Sequence, residues 1–415
     1  MQSWPTPFIP AIPGHGPAVR VHDTVTGELR EAVAGERVGL YVCGITPYDA
    51  THLGHAATYV TFDLLGRALR DAGQEVTYVQ NVTDIDDPLF ERAARDGVTW
   101  QDLGDGEIAL FREDMTALAV IPPDQYVGVV ESIDSISAAV ADLLASGAAY
   151  PIPAGEVPGS DVYLDLAQRP GFGAVSGWSR EEMLEVYADR GGDPDRVGKR
   201  DALDPLLWRA ARPGEPSWEH PVLGPGRPGW HIECTAIARD HLGIPFAVQG
   251  GGTDLLFPHH EMSAAQAEGL TGGLTYAGSY VHQAMVGYQG EKMSKSKGNL
   301  VKVSVLRRDG VDPMAIRLAL LAHDHRVPWE YTKEVLAAAV ARLARWREAL
   351  SVDTGPSADA ALTGIRMALA AGLDSPAALA SVDAWVEQCL VEGGDDPAAP
   401  GILARACDAL LGVRV

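Results

Sequence analysis

Two short groups of residues, about two hundred positions apart, hold side chains that suit nucleotide chemistry. The first is the run T-H-L-G-H-A at 51–56, in which His52 and His55 flank Gly54 directly after a turn-like segment. If a helix begins here, both imidazoles lie at its amino end, where unpaired N–H groups and the helix dipole favour phosphate. Gly54 has no side chain, so a flat adenine can lie against the backbone.

The second group is the run K-M-S-K-S at 292–296, which contains Lys292 and Lys295 between several glycines. Ammonium groups on such a loop can close over a leaving pyrophosphate. Each group alone has an ordinary explanation, either a packed histidine pair or a solvated lysine-rich loop. Their occurrence together, in this order, predicts that the protein opens ATP at its α-phosphate.

Two thiols and an imidazole form a candidate metal site. Cys43, Cys234 and His259 each follow a predicted strand or begin the next helix, so they should meet at one edge of one sheet. Soft thiolates with an imidazole suit Zn²⁺. Because there is no C-x-x-C pair, spacing alone favours two buried structural cysteines over a metal site.

The elements that must hold these groups are predicted to form a βαβ unit. An apolar strand is predicted at 38–42, a helix from about Leu53 to Asp71 and a second strand at 76–79, with 81–83 following it on the ligand-facing rim. A parallel sheet is expected, with ligands at its carboxyl edge. A helix is predicted at 132–146, and the sheet is expected to resume near 229–234 and at 245–249.

The same patterns predict four regions. A lead-in covers 1–34, and a catalytic nucleotide-binding domain covers 35–286 with an insertion at about 100–218. A lysine loop with a connecting stem follows at 287–332, and an alanine-rich helical domain covers 333–415.

Composition restricts the class of protein and its partners. The 415 residues carry a net charge of -23, which disfavours a large polyanionic partner such as nucleic acid. No apolar run is long enough to span a bilayer, and the opening segment is not a signal peptide, so no membrane association and a cytoplasmic location are expected. Four scattered cysteines predict reduced thiols. Nothing in the sequence indicates a dimer face, so a monomer is expected.

Four longer motifs carry a family resemblance: Y-V-C-G-I-T at 41–46, N-V-T-D-I-D-D at 81–87, G-R-P-G-W-H-I-E-C at 226–234 and G-G-G-T-D at 250–254. Through them the chain resembles the cysteinyl-tRNA synthetase group of class I synthetases along nearly its whole length. The resemblance implies an α/β fold, namely a Rossmann-like nucleotide-binding domain with an insertion and a small C-terminal helical domain. It also implies one Zn²⁺ per chain that binds the substrate thiol, with ligands Cys43, Cys234 and His259.

The family's further zinc ligand, a glutamate, corresponds to Ser263 in this chain. Three protein ligands leave an open position for a substrate thiolate, as in catalytic zinc sites. Glu261 is the nearest alternative oxygen donor, but its spacing does not match the family position.

The resemblance further implies which residues line the substrates. The catalytic groups are His52 and His55, which stabilise charge at phosphorus, and Lys292 and Lys295, which neutralise pyrophosphate. The residues expected to bind cysteine and the adenylate are Gly44, Ile45, Thr46, Thr58, Asn81, Val82, Thr83, Trp230, Gly252, Thr253, Asp254 and Val286.

Several of these residues also have structural explanations. Trp230 could be ordinary core, Thr58 an inward-facing helix residue, Asp254 a helix N-cap and Val286 a strand residue. His231, His260 and the acidic residues at 84–87 are expected to be structural or to support the ligands, with the acids capping the next helix.

Two related enzyme groups share this active site, and the sequence favours one of them. Cysteinyl-tRNA synthetases charge tRNA, whereas the cysteine ligases of mycothiol biosynthesis couple cysteine to the amine of glucosaminyl-inositol. The segment from Lys333 onward is short and has seven basic against eleven acidic residues, a poor surface for an RNA stem. The run D-R-G-G-D-P at 189–194 resembles a distinguishing element of the ligases, although it is also a good turn.

The expected partners are therefore L-cysteine, ATP with Mg²⁺ and glucosaminyl-inositol. The expected reaction forms cysteinyl-adenylate and pyrophosphate, after which the sugar amine attacks the activated carbonyl and releases AMP. Two alternatives stay open at this point: a truncated cysteinyl-tRNA synthetase, and a catalytically inactive paralogue that senses cysteine or binds RNA.

Overall fold

The computed structural model describes residues 1–32, 35–49, 51–155, 157–293 and 299–415, with the backbone alone at Lys292. The strands of this described part are β1 (Arg20–His22), β2 (Leu29–Glu31), β3 (Arg37–Val42), β4 (Glu75–Val82), β5 (Gln125–Gly128), β6 (Ala149–Pro153), β7 (Ser160–Leu164), β8 (Leu206–Ala210), β9 (Gly226–Pro228), β10 (Phe246–Gly252), β11 (Ala277–Gln283), β12 (Val286–Tyr288), β13 (Glu291–Lys292) and β14 (Trp329–Glu330).

Longer helices connect and cover these strands. They are α1 (Leu53–Asp71), α2 (Asp87–Asp96), α3 (Trp100–Ala117), α4 (Ile133–Ala145), α5 (Arg180–Tyr187), α6 (Trp230–Leu242), α7 (Glu261–Thr271), α8 (Val303–Arg308), α9 (Pro313–Leu321), α10 (Lys333–Leu350), α11 (Asp359–Ala370), α12 (Ser375–Val391) and α13 (Ala399–Ala406).

A five-stranded parallel sheet forms the centre of the catalytic region, in the order β11-β10-β3-β4-β5. Most residues of its strands are buried because helices cover both faces. The chain leaves β3 for β4 on one side and later returns to β10 on the other, so the strand order reverses beside β3. Such a reversal opens a crevice at the carboxyl ends of the strands, where ligands bind in folds of this type. The predicted α/β fold with a parallel sheet is confirmed.

Helix α1 has the bounds that the sequence predicts, from Leu53 to Asp71. Leu53, Val60, Phe62 and Leu65 are among its many buried side chains, because the helix contacts the sheet on one side and the C-terminal helices on the other. The chain leaves α1 through Ala72 and then a glycine with positive φ. The helix therefore links the strand that precedes the candidate site to the core of the whole chain.

A second sheet lies between β5 and β10. Strands β6 to β9 pair in sequence order, all antiparallel, and α4 packs nearby with the bounds Ile133–Ala145, close to the predicted 132–146. Strand β5 pairs with β4 although it lies inside the range 100–218 that the sequence assigns to the insertion. The central sheet thus extends one strand further than expected, and the antiparallel sheet continues beyond 218.

One predicted strand is wrong. The sequence suggests that the sheet resumes at 229–234, but helix α6 begins at Trp230 after Gly229. The alternation of large apolar and polar residues in W-H-I-E-C resembles a half-buried strand. In the structure, Ile232, Ala236 and Ile237 are all buried at helical spacing, and the polar residues between them are buried as well. Burial on several sides removes the amphipathic period that distinguishes a helix from a strand.

The C-terminal helices share a core with the catalytic region. Helix α10 begins at Lys333 as predicted, and its Leu343 and Trp346 belong to the same buried cluster as Leu65 of α1. Whether residues 333–415 form a separate domain stays a prediction. Among the described residues, no helix has the length and apolar composition to cross a bilayer.

Candidate functional site

The fold brings together the two thiols and the imidazole that the sequence singles out. One ligand atom each from Cys43, Cys234 and His259 lies within 4.8 Å of the others, and all three residues are buried. Cys43 directly follows β3, Cys234 lies in the second turn of α6, and His259 lies in a short helical segment after β10. Three elements that are distant in sequence therefore meet at the crevice beside β3.

This donor set fits a soft divalent cation. Burial raises the pKa of the Cys234 thiol well above its ordinary value, and the neighbouring Cys43 raises it further. Without a cation the Cys234 thiol therefore stays protonated, whereas a bound cation would favour its thiolate. The distances, the burial and the two sulfurs with one imidazole match a zinc site with three protein ligands.

Other polar side chains surround the Cys43 sulfur. The Gln249 amide donates to it at 3.3 Å, and Nε2 of His260 lies 3.3 Å from the same sulfur. The chain of contacts continues from His260 Nδ1 to His282 Nε2 at 2.8 Å, and from His282 Nδ1 to the Thr24 hydroxyl at 2.8 Å. These partners fix the position of Cys43 and of His260, as supporting groups around metal ligands commonly do.

His259 has its own supporting contacts. Its Nδ1 lies 3.0 Å from Nδ1 of His231, and the Trp230 ring packs on it with centroids 4.5 Å apart. Burial lowers the pKa of His231 and of His260 well below the ordinary value, so both are neutral imidazoles. The expectation that His231 and His260 support the ligands agrees with these contacts.

Neither alternative oxygen donor is suited to the metal position. Ser263 is buried in α7, and its hydroxyl donates to the His231 carbonyl at 3.4 Å. The Glu261 carboxylate accepts from the backbone of Gly173 at 2.7 Å, and from both the backbone and the hydroxyl of Ser176 at 2.7 and 2.8 Å. Glu261 therefore ties its helix to the 173–176 segment rather than serving as a ligand.

The histidine pair lies at the amino end of α1. His52 is the N-cap, and its Nδ1 accepts from the N–H groups of Gly54 at 3.0 Å and His55 at 3.4 Å. The rings of His52 and His55 stack with centroids 3.8 Å apart. A Cβ on residue 54 would lie 2.8 Å from the His52 ring, so glycine is required for this stacked arrangement. The prediction that adenine lies against Gly54 stays untested.

The segment that follows the lysine loop is attached to this cap. Leu53 N–H donates to the Val301 carbonyl at 2.9 Å, and Val303 N–H donates to the Thr51 carbonyl at 3.0 Å. Lys302, which faces His52 across this bridge, places its ammonium 2.5 Å from Asp49. The side chain of Lys292, and Lys295 altogether, lie outside the described residues.

A second group of predicted residues links the ends of β3 and β4. Gly44 N–H donates to the Asn81 side-chain oxygen at 2.8 Å, and the Asn81 amide donates to the Thr83 hydroxyl at 3.1 Å. Thr83 N–H in turn donates to the Ile45 carbonyl at 3.0 Å. A Cβ on Gly44 would lie 1.6 Å from the Asn81 carbonyl oxygen, so only glycine fits here. Asn81 and Val82 end β4, rather than following it as predicted.

The remaining predicted residues lie on several elements. Thr58 donates back to the Gly54 carbonyl at 3.3 Å within α1. Gly252 ends β10, and Thr253 and Asp254 form the short helix after it, with Gly252 rather than Asp254 as its N-cap. Val286 begins β12 and is buried. The structure places these residues without testing their binding roles.

The acidic run at 84–87 caps the next helix, as the sequence suggests. Asp86 is the N-cap of α2 and accepts from Asp87 N–H at 2.9 Å, while Thr46 donates to its other oxygen at 3.3 Å. Burial raises the pKa of Asp84 and of Asp86 to about 6. Thr46 is thereby held at the same edge of the sheet as Cys43.

Sequence reasoning overlooked four side chains that contact this site. Gln249 could have been noticed, since it is a lone polar residue in an otherwise apolar strand before three glycines. His282 lies among other polar residues in β11 and has no such signal, and Lys302 carries none beyond its proximity to the lysine loop. Arg190 lies in the run D-R-G-G-D-P at 189–194, which the sequence also explains as a turn.

Comparisons with known proteins identify the relatives of this chain. A family model described as the catalytic domain of class I (C) tRNA synthetases matches residues 29–341. The L-cysteine:1D-myo-inositol 2-amino-2-deoxy-alpha-D-glucopyranoside ligase of Sanguibacter keddieii is 59% identical over 426 residues, and that of Gordonia bronchialis is 60% identical over 415 residues. Each alignment covers 100% of both chains.

A solved structure matches the fold at low sequence identity. Methionyl-tRNA synthetase of Mycobacterium tuberculosis, in complex with methionyl-adenylate, aligns with a TM-score of 0.63 and 15% identity over 91% of this chain and 90% of that chain. An identity this low supports the class I synthetase fold and nothing more specific.

Proposed function

The chain belongs to the class I (C) tRNA synthetase family and, within it, to the cysteine:amino-sugar ligases, and from this premise we propose that it joins L-cysteine to the amine of glucosaminyl-inositol in mycothiol biosynthesis. The reaction consumes ATP with Mg²⁺ and releases pyrophosphate and AMP. The observation that carries the proposal is the buried set of Cys43, Cys234 and His259, which lies at the sheet edge from which the His52 and His55 segment also leaves. A cation held by this set would bind a thiol at the same sheet edge as a helix end that suits phosphate.

The helix end supports the first half-reaction, in which the cysteine carboxylate attacks the α-phosphate. Because His52 Nδ1 accepts the two capping bonds, its proton resides on Nε2. This tautomer donates to a phosphate oxygen, and its orientation is fixed before the nucleotide binds. Donors placed in advance stabilise the charge that develops at phosphorus.

The proposed zinc site selects which amino acid is activated. A zinc ion held by Cys43, Cys234 and His259 would bind the substrate sulfur as a thiolate, which serine cannot imitate. Ser263 at the family's glutamate position leaves the three-ligand set without a further protein oxygen there. Trp230 and His231 hold the His259 ring in place. Cysteine is therefore chosen by sulfur chemistry.

The second half-reaction distinguishes this proposal from a synthetase. Both enzymes should exchange pyrophosphate into ATP when cysteine is present. Only the ligase should release AMP continuously with glucosaminyl-inositol as acceptor. We therefore expect AMP release that depends on cysteine and on the amino sugar, measured on the full chain. Stimulation by tRNA alone would instead identify a truncated cysteinyl-tRNA synthetase, and no exchange with zinc-loaded protein would indicate an inactive paralogue.

Replacement of one sulfur tests the metal site. In Cys234→Ser we expect zinc content to fall from about one ion per chain to well below half, because a serine hydroxyl is a poor zinc ligand. Cysteine-dependent pyrophosphate exchange should fall at least 100-fold. Cys407→Ser is the matched control, since this cysteine is equally buried but lies near the C-terminus. Equal zinc content in both variants would contradict the assignment.

A further inference from the structure

The segment D-R-G-G-D-P at 189–194 contacts the loop that carries His259. Arg190 donates from one nitrogen, Nη1, to the carbonyl oxygens of Phe257 and, at 3.3 Å, Asp254. Its guanidinium also lies over the Trp178 ring, 5.5 Å from the centroid. These contacts cross from the insertion to the loop between β10 and α7. The segment is therefore more than a surface turn.

The neighbours of Arg190 give this segment a defined shape. Gly191 has φ of 86°, a conformation that disfavours side chains, and a Cβ on Gly192 would lie 2.6 Å from the Tyr187 ring. Asp193 accepts from the Tyr163 hydroxyl at 2.5 Å and from the Lys199 ammonium at 2.9 Å. The motif thus presents Arg190 from a backbone that is anchored on both sides.

The loop that Arg190 contacts is not a regular helix at this point. Phe257 interrupts the helical turns with φ of −135° and ψ of 134°, so its carbonyl does not point along a helix axis. The Phe257 ring is fully buried and lies 5.5 Å from the Trp178 ring. The metal-site residue His259 is only two positions further on. A small shift at Phe257 therefore moves the imidazole directly.

We propose that Arg190 is a positioning residue for the thiol-binding end of the site, because it fixes the backbone at two carbonyls just before His259. Its planar guanidinium packs on an aromatic face while one of its nitrogens donates to two carbonyl oxygens, and a lysine ammonium has no plane to pack in this way. Glu261 anchors the other end of the same loop through Gly173 and Ser176. The insertion thus holds the His259 segment at two points.

The inference depends on the proposed function only for its cysteine measurement. The test compares zinc affinity in wild type, Arg190→Met and Arg190→Lys by competition with a chelator. Loss of a supporting contact around a metal ligand typically weakens binding about 10-fold or more. We expect about that loss for Arg190→Met, a smaller loss for Arg190→Lys, and an altered absorption spectrum of the cobalt-substituted Arg190→Met protein. The KM for cysteine in pyrophosphate exchange should rise about tenfold.

Arg180→Met is the matched control. Arg180 lies in the same insertion and pairs with Asp201 at 2.8 Å, but this exposed pair does not contact the His259 loop. Its zinc affinity should stay within twofold of wild type. Wild-type zinc affinity and cobalt spectrum in either folded Arg190 variant would overturn the inference. If wild-type protein binds zinc but ligates no amino sugar, the proposed function fails while the zinc comparison still decides the role of Arg190.

Discussion

At the scale of single residues, the site depends on side chains that support the ligands as much as on the ligands. Cys43, Cys234 and His259 could be chosen from the sequence only through a family resemblance, because their spacing has no metal-binding pattern. The structure adds Gln249 to the already expected His260, and one nitrogen of each lies 3.3 Å from the Cys43 sulfur. Such contacts determine where a sulfur points and how much charge it carries.

Gln249→Leu tests this support. The change removes the amide that donates to the Cys43 sulfur and that lies 3.0 Å from His260 Nε2. We expect zinc to bind about 10-fold more weakly, because outer contacts around metal ligands have effects of this size. Competition with a chelator measures the zinc affinity. Gln80→Leu is the control, since Gln80 is equally buried in β4, two strands away from β10, and accepts from the Tyr78 hydroxyl instead. Similar zinc affinity in the two variants would count against the support by Gln249.

At the scale of elements, sequence patterns predicted some segments closely and missed others for physical reasons. The bounds of α1 were predicted because a capping residue and a glycine mark its ends. Helix α6 was mistaken for a strand because its residues are buried on several sides. The close approach of Gly44 to the Asn81 carbonyl, and the bridge from Leu53 to Val301, join distant parts of the chain and have no local signature.

The bridge beside α1 leads to a second prediction. Lys302 pairs with Asp49 at 2.5 Å and holds the segment after the lysine loop against the His52 cap. In Lys302→Met we expect the kcat of pyrophosphate exchange to fall about fivefold, equivalent to ~1 kcal/mol of lost positioning. The melting temperature should change little, because partly exposed ion pairs contribute little stability.

Arg308→Met provides the comparison for Lys302→Met. Arg308 lies on the adjoining helix α8 and makes an exposed pair with Asp309 at 3.5 Å. Its kcat should equal that of wild type. A Lys302→Met enzyme with unchanged exchange would show that the backbone bridge alone is enough to hold the segment after the lysine loop.

At the scale of the whole molecule, one buried ionic cluster joins the catalytic core to the C-terminus. Asp63 of α1 pairs with Arg67 at 2.7 Å and with Arg317 of α9. Arg67 also donates to the Asp408 and Ala409 carbonyls, and Arg317 donates to the carbonyl of Leu411 at 2.6 Å. The C-terminal helices are therefore tied to the helix whose amino end carries the histidine pair.

Because of this cluster, the free energy of unfolding depends on pH. Burial alone would raise the pKa of Asp63, but the guanidinium groups of Arg67 and Arg317 outweigh burial and hold it below its ordinary value of 3.8. The unfolded chain therefore takes up the proton first as the pH falls. The stability that Asp63 contributes is complete above its unfolded-state pKa and is lost as pH falls through the lower folded-state pKa.

Arg317→Met tests the cluster. The variant leaves Asp63 with one guanidinium and deprives the Leu411 carbonyl of its donor, so we expect a loss of about 3–5 kcal/mol in the free energy of unfolding at pH 7. Urea denaturation at pH 7 and at pH 3 measures the loss, which should shrink at pH 3, because the unfolded chain takes up a proton at Asp63 below its ordinary pKa of 3.8 and the ion pair then contributes less stability. Arg345→Met removes an exposed pair with Glu387 in the C-terminal helices and should cost less than about 1 kcal/mol at either pH. Equal, pH-independent losses in both variants would mean that the cluster does not join the two parts of the chain.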